Sequence, residues 1–92
     1  MIKEFACKRT EELFRTGSAR HFQAFAKVAL RKLDQIHVAG ELSDLAVPPG
    51  NRLEALTGDR EGQHSIRIND QWRICFVWQD DHATQVAIVD YH

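Results

Sequence analysis

The sequence predicts an α+β fold in which two N-terminal helices pack on one face of a curved antiparallel sheet. Apolar residues recur with a helical period in the first half of the chain and alternate with polar residues in the second half. The period changes after Pro48-Pro49-Gly50, where proline fixes φ and glycine permits a chain reversal. A block of helices followed by a block of strands is typical of a sheet that is covered by helices on one side.

Length and composition indicate one domain, residues 1–92, because a second one would be too small to bury a core. Apolar residues make up 43% of the chain and charged residues 27%, as in soluble globular proteins and unlike disordered ones. No apolar run approaches the ~20 residues of a membrane span, and Met1–Phe5 does not resemble a signal peptide. We therefore expect a cytoplasmic protein without a membrane partner.

A short strand and the ends of two helices can be predicted in the N-terminal part of the chain. Ile2–Cys7 predicts a short edge strand. Thr10 is expected to cap the first helix, since two glutamates follow it and complement the helix dipole. Gly17 ends that helix, and Ser18 is expected to cap the next one.

The second helix is the clearest element of the sequence. Its apolar stripe has the i, i+3, i+4, i+7 spacing of one helical face and consists of Phe22, Phe25, Ala26, Ala29, Leu30, Leu33 and Ile36. We interpret this stripe as core and not as a cofactor site. Gly40 closes the helix, and Glu41–Leu45 is expected to add one more turn.

The second half of the chain reads as strands and turns. Leu53 and Ala55 alternate with polar neighbours, residues 58–62 form a charged turn, and residues 85–90 form a last strand rich in valine and isoleucine. Two strands flank Asn69-Asp70-Gln71, and their alternating apolar residues are Ile66, Ile68, Trp72, Ile74, Phe76 and Trp78.

The register of this hairpin can be predicted. A three-residue loop pairs Ile66 with Ile74, whereas a two-residue loop would mix the buried and exposed faces. The same register places Arg67 opposite Arg73 on the face away from the helices. Like charges that lie opposite each other repel, so this pair suggests an anion between them.

Charge and metal-ligand types limit the possible functions. Residues 1–40 hold eight lysines and arginines against four acidic residues, and residues 41–92 hold four arginines against nine acidic residues. The basic half, including Lys27 and Arg31, is either a phosphate-binding surface or a solvated helix face. The two cysteines form no CxxC motif and the five histidines show no HxH or HxxxH spacing, so we expect no metal and no cofactor.

The second half carries the residue types that metal-free RNA cleavage needs. Attack by a 2′-OH requires a base, stabilisation of charge on the phosphate and an acid for the leaving oxygen. Glu54 would be the base and His92 the acid, and Tyr91 would stack on a nucleobase or orient the scissile group. Guanidinium forks would hold the phosphate, and they come from Arg73, Arg67 and Arg52. Taken singly, each of these residues is more often an ordinary surface group.

The combination of motifs is more specific. Gly-x-x-Ser-x-Arg-x-Asn-x-x-Trp-Arg-x-x-Phe spans Gly62 to Phe76, and the sequence closes on Asp90-Tyr91-His92. This pattern resembles the HigB-type toxins of the RelE/ParE superfamily of bacterial toxin–antitoxin systems. The resemblance extends over essentially the whole sequence, from Met1-Ile2-Lys3-Glu4-Phe5 onwards.

The resemblance implies a RelE-like fold and ribosome-dependent cleavage of mRNA by 2′-OH attack, without a metal. It also implies a helix-turn-helix antitoxin of the HigA kind, through which the toxin would meet operator DNA only indirectly. By position, Arg73 matches the phosphate-contacting arginine of the family, and Asp90, Tyr91 and His92 match its catalytic C-terminal segment. The further RNA-binding candidates are Arg52, Arg60, Arg67, Lys27 and Arg31.

Two positions depart from the family pattern. Many HigB-type toxins have histidine where this chain has Glu54, and lysine where it has Thr57. Glutamate at the first position resembles the YoeB branch, in which it is the base, and Arg67 matches an arginine of that branch. Loss of the lysine removes positive charge near the phosphate, so we expect a slower enzyme or one that relies on Arg52 and Arg60.

Two other functions remain open at this level. The chain could act by binding, like the ParE-type toxins that bind DNA gyrase, or it could be a degenerate toxin that serves as corepressor of its antitoxin. A binding inhibitor would tolerate loss of Tyr91 and His92, whereas a nuclease would not.

Overall fold

The computed structural model describes residues 1–90 and shows two α-helices beside a four-stranded antiparallel sheet. The helices are α1 and α2, and their bounds are Lys8–Thr16 and Ala26–Val38. The strands, β1 to β4, are Glu54–Ala55, His64–Arg67, Trp72–Gln79 and His82–Asp90, and they lie in this order in the sheet. The predicted α+β class with two N-terminal helices is confirmed.

Helix α1 starts earlier than the capping pattern predicts. Its N-cap is Cys7, and Thr10 lies inside the helix with no exposed surface. The Thr10 hydroxyl instead accepts a hydrogen bond from the backbone N–H of Ile88, at 3.0 Å. The prediction of a Thr10 cap was wrong because the hydroxyl binds β4. Gly17 ends the helix as predicted, in the left-handed conformation with φ +82°.

Helix α2 is shorter than its apolar stripe. Arg20–Phe25 forms a 3₁₀ helix with a non-helical residue at Phe22, and the α-helix begins only at Ala26. Ser18 caps neither segment, so that prediction was wrong. Phe22 and Phe25 both contact the Trp72 ring, with centroids 5.9 and 5.1 Å away, so the distorted segment packs on β3. The helix ends at Val38, before Gly40.

The connection from α2 to the sheet consists of short 3₁₀ turns. Leu42–Ala46 forms the extra turn predicted after the helix, and Pro49–Asn51 forms the turn predicted from the proline pair. The charged turn after β1 contains a further 3₁₀ segment, Gly58–Arg60. The strand predicted around Leu53 is reduced to the two residues of β1.

The β2–β3 hairpin has the predicted register. Ile66 pairs with Ile74 and Arg67 pairs with Arg73, and the backbone N–H of Ile68 bonds to the carbonyl of Trp72 at 2.9 Å. Asn69 fixes the loop, because its side-chain oxygen accepts hydrogen bonds from the N–H groups of Gln71 and Trp72, both at 2.9 Å.

The N-terminal segment is not the regular edge strand that was predicted. Ile2 and Phe5 form isolated parallel bridges with Ala83 and Val86 of β4. The segment therefore lies along the outer edge of β4 without forming a continuous ladder.

The core lies between the helices and one face of the sheet. Ile66, Ile74 and Ile88 form one cross-strand row of this face, and none of them is more than 5% exposed. Side chains alternate along a strand, so the neighbouring residues Ser65, Arg67, Arg73 and Cys75 point to the opposite face. Glu54, which pairs with Ser65, therefore lies with Arg67 and Arg73 on the face that the helices leave uncovered.

Candidate active site

Strand pairing brings Glu54 and Arg73 together. Glu54 pairs with Ser65 on β2, and Ser65 pairs with Cys75 on β3, next to Arg73. A Glu54 carboxylate oxygen lies 3.7 Å from a terminal nitrogen of the Arg73 guanidinium. The Glu54 side chain is 49% exposed and that of Arg73 only 9%, so the carboxylate is open to solvent above a covered cation.

The Arg73 guanidinium is held by oxygens of two neighbouring segments. Its Nε donates to the hydroxyl of Ser65 at 2.7 Å. One terminal nitrogen donates to the backbone carbonyls of Arg52, at 2.6 Å, and of Ser65, at 3.3 Å. The sequence alone did not identify Ser65 as functional, although it stands in the motif between Gly62 and Phe76.

Arg52 contributes its backbone to the site. It has a left-handed conformation, with φ 48° and ψ 54°, directly after the Pro49–Asn51 turn. The preceding Asn51 is fully buried, and its amide donates to the carbonyl of Leu45 at 3.1 Å and to the Gln35 side chain at 3.0 Å. These bonds fix the turn and thereby the carbonyl that binds Arg73. The exposed Arg52 side chain has no hydrogen-bond partner within residues 1–90.

Arg67 lies opposite Arg73, as predicted, but the two guanidinium groups have different surroundings. Arg67 donates to the carboxylate of Asp70 in the hairpin loop, and the Asp70 side chain is 99% exposed. The repulsion expected between the paired arginines is thus reduced by two separate sets of acceptors. An anion between them is not needed to explain their register.

Arg60 lies within electrostatic range of the same face. Its guanidinium donates to the side-chain oxygen of Gln63 at 3.3 Å. Burial raises the pKa of the Cys75 thiol, while Arg60 and Arg73 oppose this effect and Glu54 adds to it. These four groups therefore influence one another at the centre of the uncovered face. Cys75 itself is 1% exposed and lies beneath the charged groups.

The basic candidates on α2, Lys27 and Arg31, lie on the same helix as a buried lysine, Lys32. Lys27 and Arg31 are exposed on the helix, and neither forms a hydrogen bond within the described chain. Next to Arg31, the Lys32 ammonium donates to the side-chain oxygen of Asn51 and is 8% exposed. Burial lowers the pKa of Lys32, and the nearby guanidinium groups of Arg31 and Arg67 lower it further. Lys32, which the sequence did not reveal as part of the site, is thus within electrostatic range of Arg31 and Arg67.

Asp90 lies on the opposite face of the sheet from the Glu54–Arg73 pair. It pairs with Trp72, whose ring packs on the helical side, so Asp90 belongs to that face of the sheet. Its carboxylate accepts a hydrogen bond from the Gln71 amide at 3.1 Å. The two other predicted catalytic residues, Tyr91 and His92, lie outside the described residues.

The assembled groups can perform part of an acid–base reaction on a phosphodiester. Glu54 provides an exposed carboxylate for proton removal, and Arg73 provides a fixed positive charge 3.7 Å away. Arg60 and Arg67 add guanidinium groups on the same part of the molecule, and Arg52 contributes its backbone carbonyl. Within residues 1–90, no three metal-binding side chains come close enough together to hold an ion.

Two surface depressions lie elsewhere, around Ala19 and Arg20. One also contacts Gln23 and the other contacts Arg9 and His21. The second is also lined by Glu12, and no residue of the sheet lines either of them. RNA backbones bind to open charged surfaces, so we place the candidate site on the sheet and not in these depressions. None of the described helices is long and apolar enough to cross a membrane.

Comparison with known proteins gives consistent matches over nearly the whole chain. A family model described as the RelE-like toxin of type II toxin–antitoxin system HigB matches residues 3–92. Toxin HigB-1 of Vibrio cholerae is 37% identical over 85 residues, which is 90% of this chain and 90% of the relative. Endoribonuclease HigB of Proteus vulgaris is 32% identical over 98 aligned positions and 100% of both chains.

Solved structures support the fold independently. The YoeB–YefM complex from Staphylococcus aureus contains a chain that matches with a TM-score of 0.58 and 21% identity, covering 100% of this chain and 95% of that one. The YoeB dimer from the same organism matches with a TM-score of 0.56 and 21% identity, over 99% and 94%. At this level of identity the likeness establishes a shared fold.

Proposed function

Because the chain belongs to the HigB family of RelE-like toxins of type II toxin–antitoxin systems, we propose that it is an endoribonuclease that cuts mRNA on the ribosome. The observation that carries this proposal is the Glu54–Arg73 pair on the uncovered sheet face. A relative that aligns along the whole chain bears the name endoribonuclease. The base and the guanidinium groups supply two of the three requirements of 2′-OH attack, and the acid for the leaving oxygen would come from His92.

The proposed reaction is a transesterification. Glu54 removes the proton of a 2′-OH, whose oxygen forms a bond to the adjacent phosphorus. The bond from phosphorus to the 5′-oxygen breaks, and the products are a 2′,3′-cyclic phosphate and a 5′-OH end. Arg73 stabilises the additional negative charge on the phosphate. His92 gives a proton to the leaving 5′-oxygen, and Tyr91 stacks on a nucleobase.

The remaining charged candidates have supporting roles in this proposal. Asp90 belongs to the catalytic C-terminal segment and orients it. Phosphates on either side of the cut contact the positive groups on the sheet and helix, which are Arg52, Arg60, Arg67, Lys27 and Arg31. Contacts of this kind position the RNA on the protein and make RNA binding sensitive to salt.

The partner is an antitoxin, as the family implies. We propose an antitoxin of the HigA kind with a helix-turn-helix, which links the toxin to operator DNA without direct contact between them. The ribosome and its mRNA are the targets, and the cytoplasm is the compartment where all of them meet. The YoeB–YefM complexes show that chains of this fold are held by antitoxins in other systems.

A cleavage assay tests the function. Purified wild-type protein and a version that ends at Asp90 would be mixed with bacterial ribosomes programmed with mRNA, and the products mapped by primer extension. We expect discrete cuts in the decoding site from the wild type and none from the shortened protein. A wild type that arrests growth without cutting mRNA would contradict the proposal and favour a toxin that acts by binding.

A further inference from the structure

We propose that Ser65 is a positioning residue for the cleavage reaction, because its hydroxyl fixes the Arg73 guanidinium in the orientation that meets the phosphate. This inference rests on the proposed function of the Glu54–Arg73 pair. It gives a role to a serine that the motif contains and that the reaction does not use directly.

The geometry of Ser65 suits this role. The residue has no exposed surface, and its hydroxyl lies 2.7 Å from Nε of Arg73. It lies in the centre of the sheet, paired with Glu54 on one side and Cys75 on the other. A buried hydroxyl in a strand with partners on both sides has little freedom to move, so it gives a fixed acceptor to a long and flexible side chain.

The second acceptor that fixes Arg73 is a backbone carbonyl. The carbonyl of Arg52 accepts a hydrogen bond from a terminal nitrogen of Arg73 at 2.6 Å, and the carbonyl of Ser65 accepts a longer one at 3.3 Å. Bonds to Nε and to a terminal nitrogen define the plane of a guanidinium group. The Ser65 hydroxyl and the Arg52 carbonyl together therefore set the direction of Arg73.

The acceptor type matters as much as its position. The Ser65 hydroxyl and the two carbonyls are neutral oxygens, so they orient the cation without adding negative charge to that of the Glu54 carboxylate, 3.7 Å away. A carboxylate at position 65 would orient the cation and cancel its positive charge. A cation fixed before the substrate arrives stabilises the transition state without reorganisation, which is the usual source of large electrostatic effects in active sites.

The first test separates positioning from stability. Ser65→Ala removes the hydroxyl and keeps the strand, and Ser65→Thr restores a hydroxyl at the same atom. Thr84→Val is the matched control, since Thr84 is a buried strand residue whose hydroxyl bonds to Glu4 at 2.8 Å, away from the site. Cleavage of ribosome-bound mRNA would be measured under single-turnover conditions, and thermal unfolding would be followed in parallel.

We expect Ser65→Ala to lower the cleavage rate constant by about 10- to 100-fold without weakening ribosome binding, as a misplaced catalytic group does. Ser65→Thr should recover most of the rate, and Thr84→Val should keep the wild-type rate at a similar loss of thermal stability. A Ser65→Ala protein that cuts as fast as the Thr84→Val protein would overturn the proposal.

The second test does not depend on cleavage. In Arg73→Ala, guanidinium ion at low millimolar concentration should bind where the side chain was, and its affinity would be measured by NMR titration against sodium chloride. We expect about tenfold weaker binding in the double variant Arg73→Ala/Ser65→Ala, because a hydrogen bond to a charged group is lost. Equal affinities in the two proteins would overturn the positioning role.

The two tests can fail separately, so they distinguish the positioning role of Ser65 from the proposed RNA cleavage. If the wild type cuts no RNA but guanidinium affinity depends on Ser65, the proposed function fails and the role of Ser65 in orienting Arg73 is supported. If Arg73→Ala does not fold, the rates of Ser65→Ala and Ser65→Thr decide the question.

Discussion

Glu54 occupies an unusual place for a charged strand residue, since it is half exposed and only 3.7 Å from a covered arginine. The pair is too open to contribute much to stability, because solvent screens exposed ion pairs. In the proposed reaction, this carboxylate takes a proton next to a fixed positive charge. Substitutions at Glu54 should therefore affect activity far more than folding.

Glu54→Gln tests this directly. It keeps the shape of the side chain and removes the base, so we expect the single-turnover cleavage rate to fall by about 10²- to 10⁴-fold. Thermal unfolding should change little. Glu61→Gln, an exposed acid in the following loop, is the control and should cut normally. Normal cleavage by Glu54→Gln would assign the base to another group.

Thr57 is the second departure from the family pattern with a measurable consequence. It is exposed and precedes the Gly58–Arg60 turn without a side-chain capping bond, so replacing it removes no hydrogen bond of the turn. Thr57→Lys should increase cleavage and steepen its dependence on salt, because it adds a phosphate contact. Ser43→Lys adds the same charge at an exposed position of the Leu42–Ala46 turn and should have no such effect. Unchanged or lower activity of Thr57→Lys would count against this account.

The pKa values of the two cysteine thiols are shifted in opposite directions. Burial on its own would raise the pKa of the Cys7 thiol, but the polar groups of Thr10 and Arg9 at the start of α1 lower it. Burial raises the pKa of Cys75, which is 1% exposed. The thiolate is the reactive form, so Cys7 should react at lower pH than a free cysteine does.

A thiol-reagent titration measures this difference. One thiol per molecule should react rapidly near neutral pH, with a rate that rises as pH passes through the lowered pKa, and the second should react only after unfolding. Cys7→Ser should abolish the fast phase. A fast phase that survives in Cys7→Ser would show that Cys75 is accessible and would contradict the burial described above.

At the level of single elements, the local sequence correctly predicted the glycine that ends α1 but not the hydroxyl residues that were expected to cap the helices. Gly17 ends α1 because a left-handed residue is needed there, and this requirement is local. Thr10 and Ser18 fit capping patterns equally well, but Thr10 binds β4 and Ser18 caps no helix. The difference depends on tertiary packing, which capping rules do not include.

Gly17→Ala tests the local requirement. Nothing lies within 4 Å of the added Cβ, so the cost arises from the positive φ of +82° alone. We expect the free energy of unfolding to fall by about 1–2 kcal/mol in chemical denaturation. Gly50→Ala also meets nothing within 4 Å and has no positive φ, so it should not be destabilised. Equal stability of both variants would refute the strain at Gly17.

At the scale of the whole molecule, the site depends on contacts that join distant parts of the chain. Lys32 on α2 bonds to Asn51, Asn51 holds the turn before Arg52, and the Arg52 carbonyl binds Arg73. A continuous set of buried polar contacts thus links the long helix to the uncovered face of the sheet. Alteration of the turn would therefore displace the guanidinium.

The same contacts mark the limit of prediction from sequence. Alternation of apolar and polar residues was sufficient for the hairpin register, which in turn located Arg73 and Arg67 on one face. The buried partners Ser65 and Asn51 could not be identified, since their acceptors and donors come from segments that only folding brings together. Asp90 was grouped with the site by its motif, whereas strand pairing puts it on the helical face.

The proposed reaction of this chain is cleavage of RNA by attack of a 2′-OH. Ribosomes programmed with two mRNAs that differ only by a 2′-deoxy nucleotide immediately before the main cut test it directly. We expect rapid cleavage of the all-ribose message, with a 2′,3′-cyclic phosphate end, and no cut at the deoxy position. Cleavage of both messages at that position would contradict 2′-OH attack, and cleavage of neither would contradict nuclease activity itself.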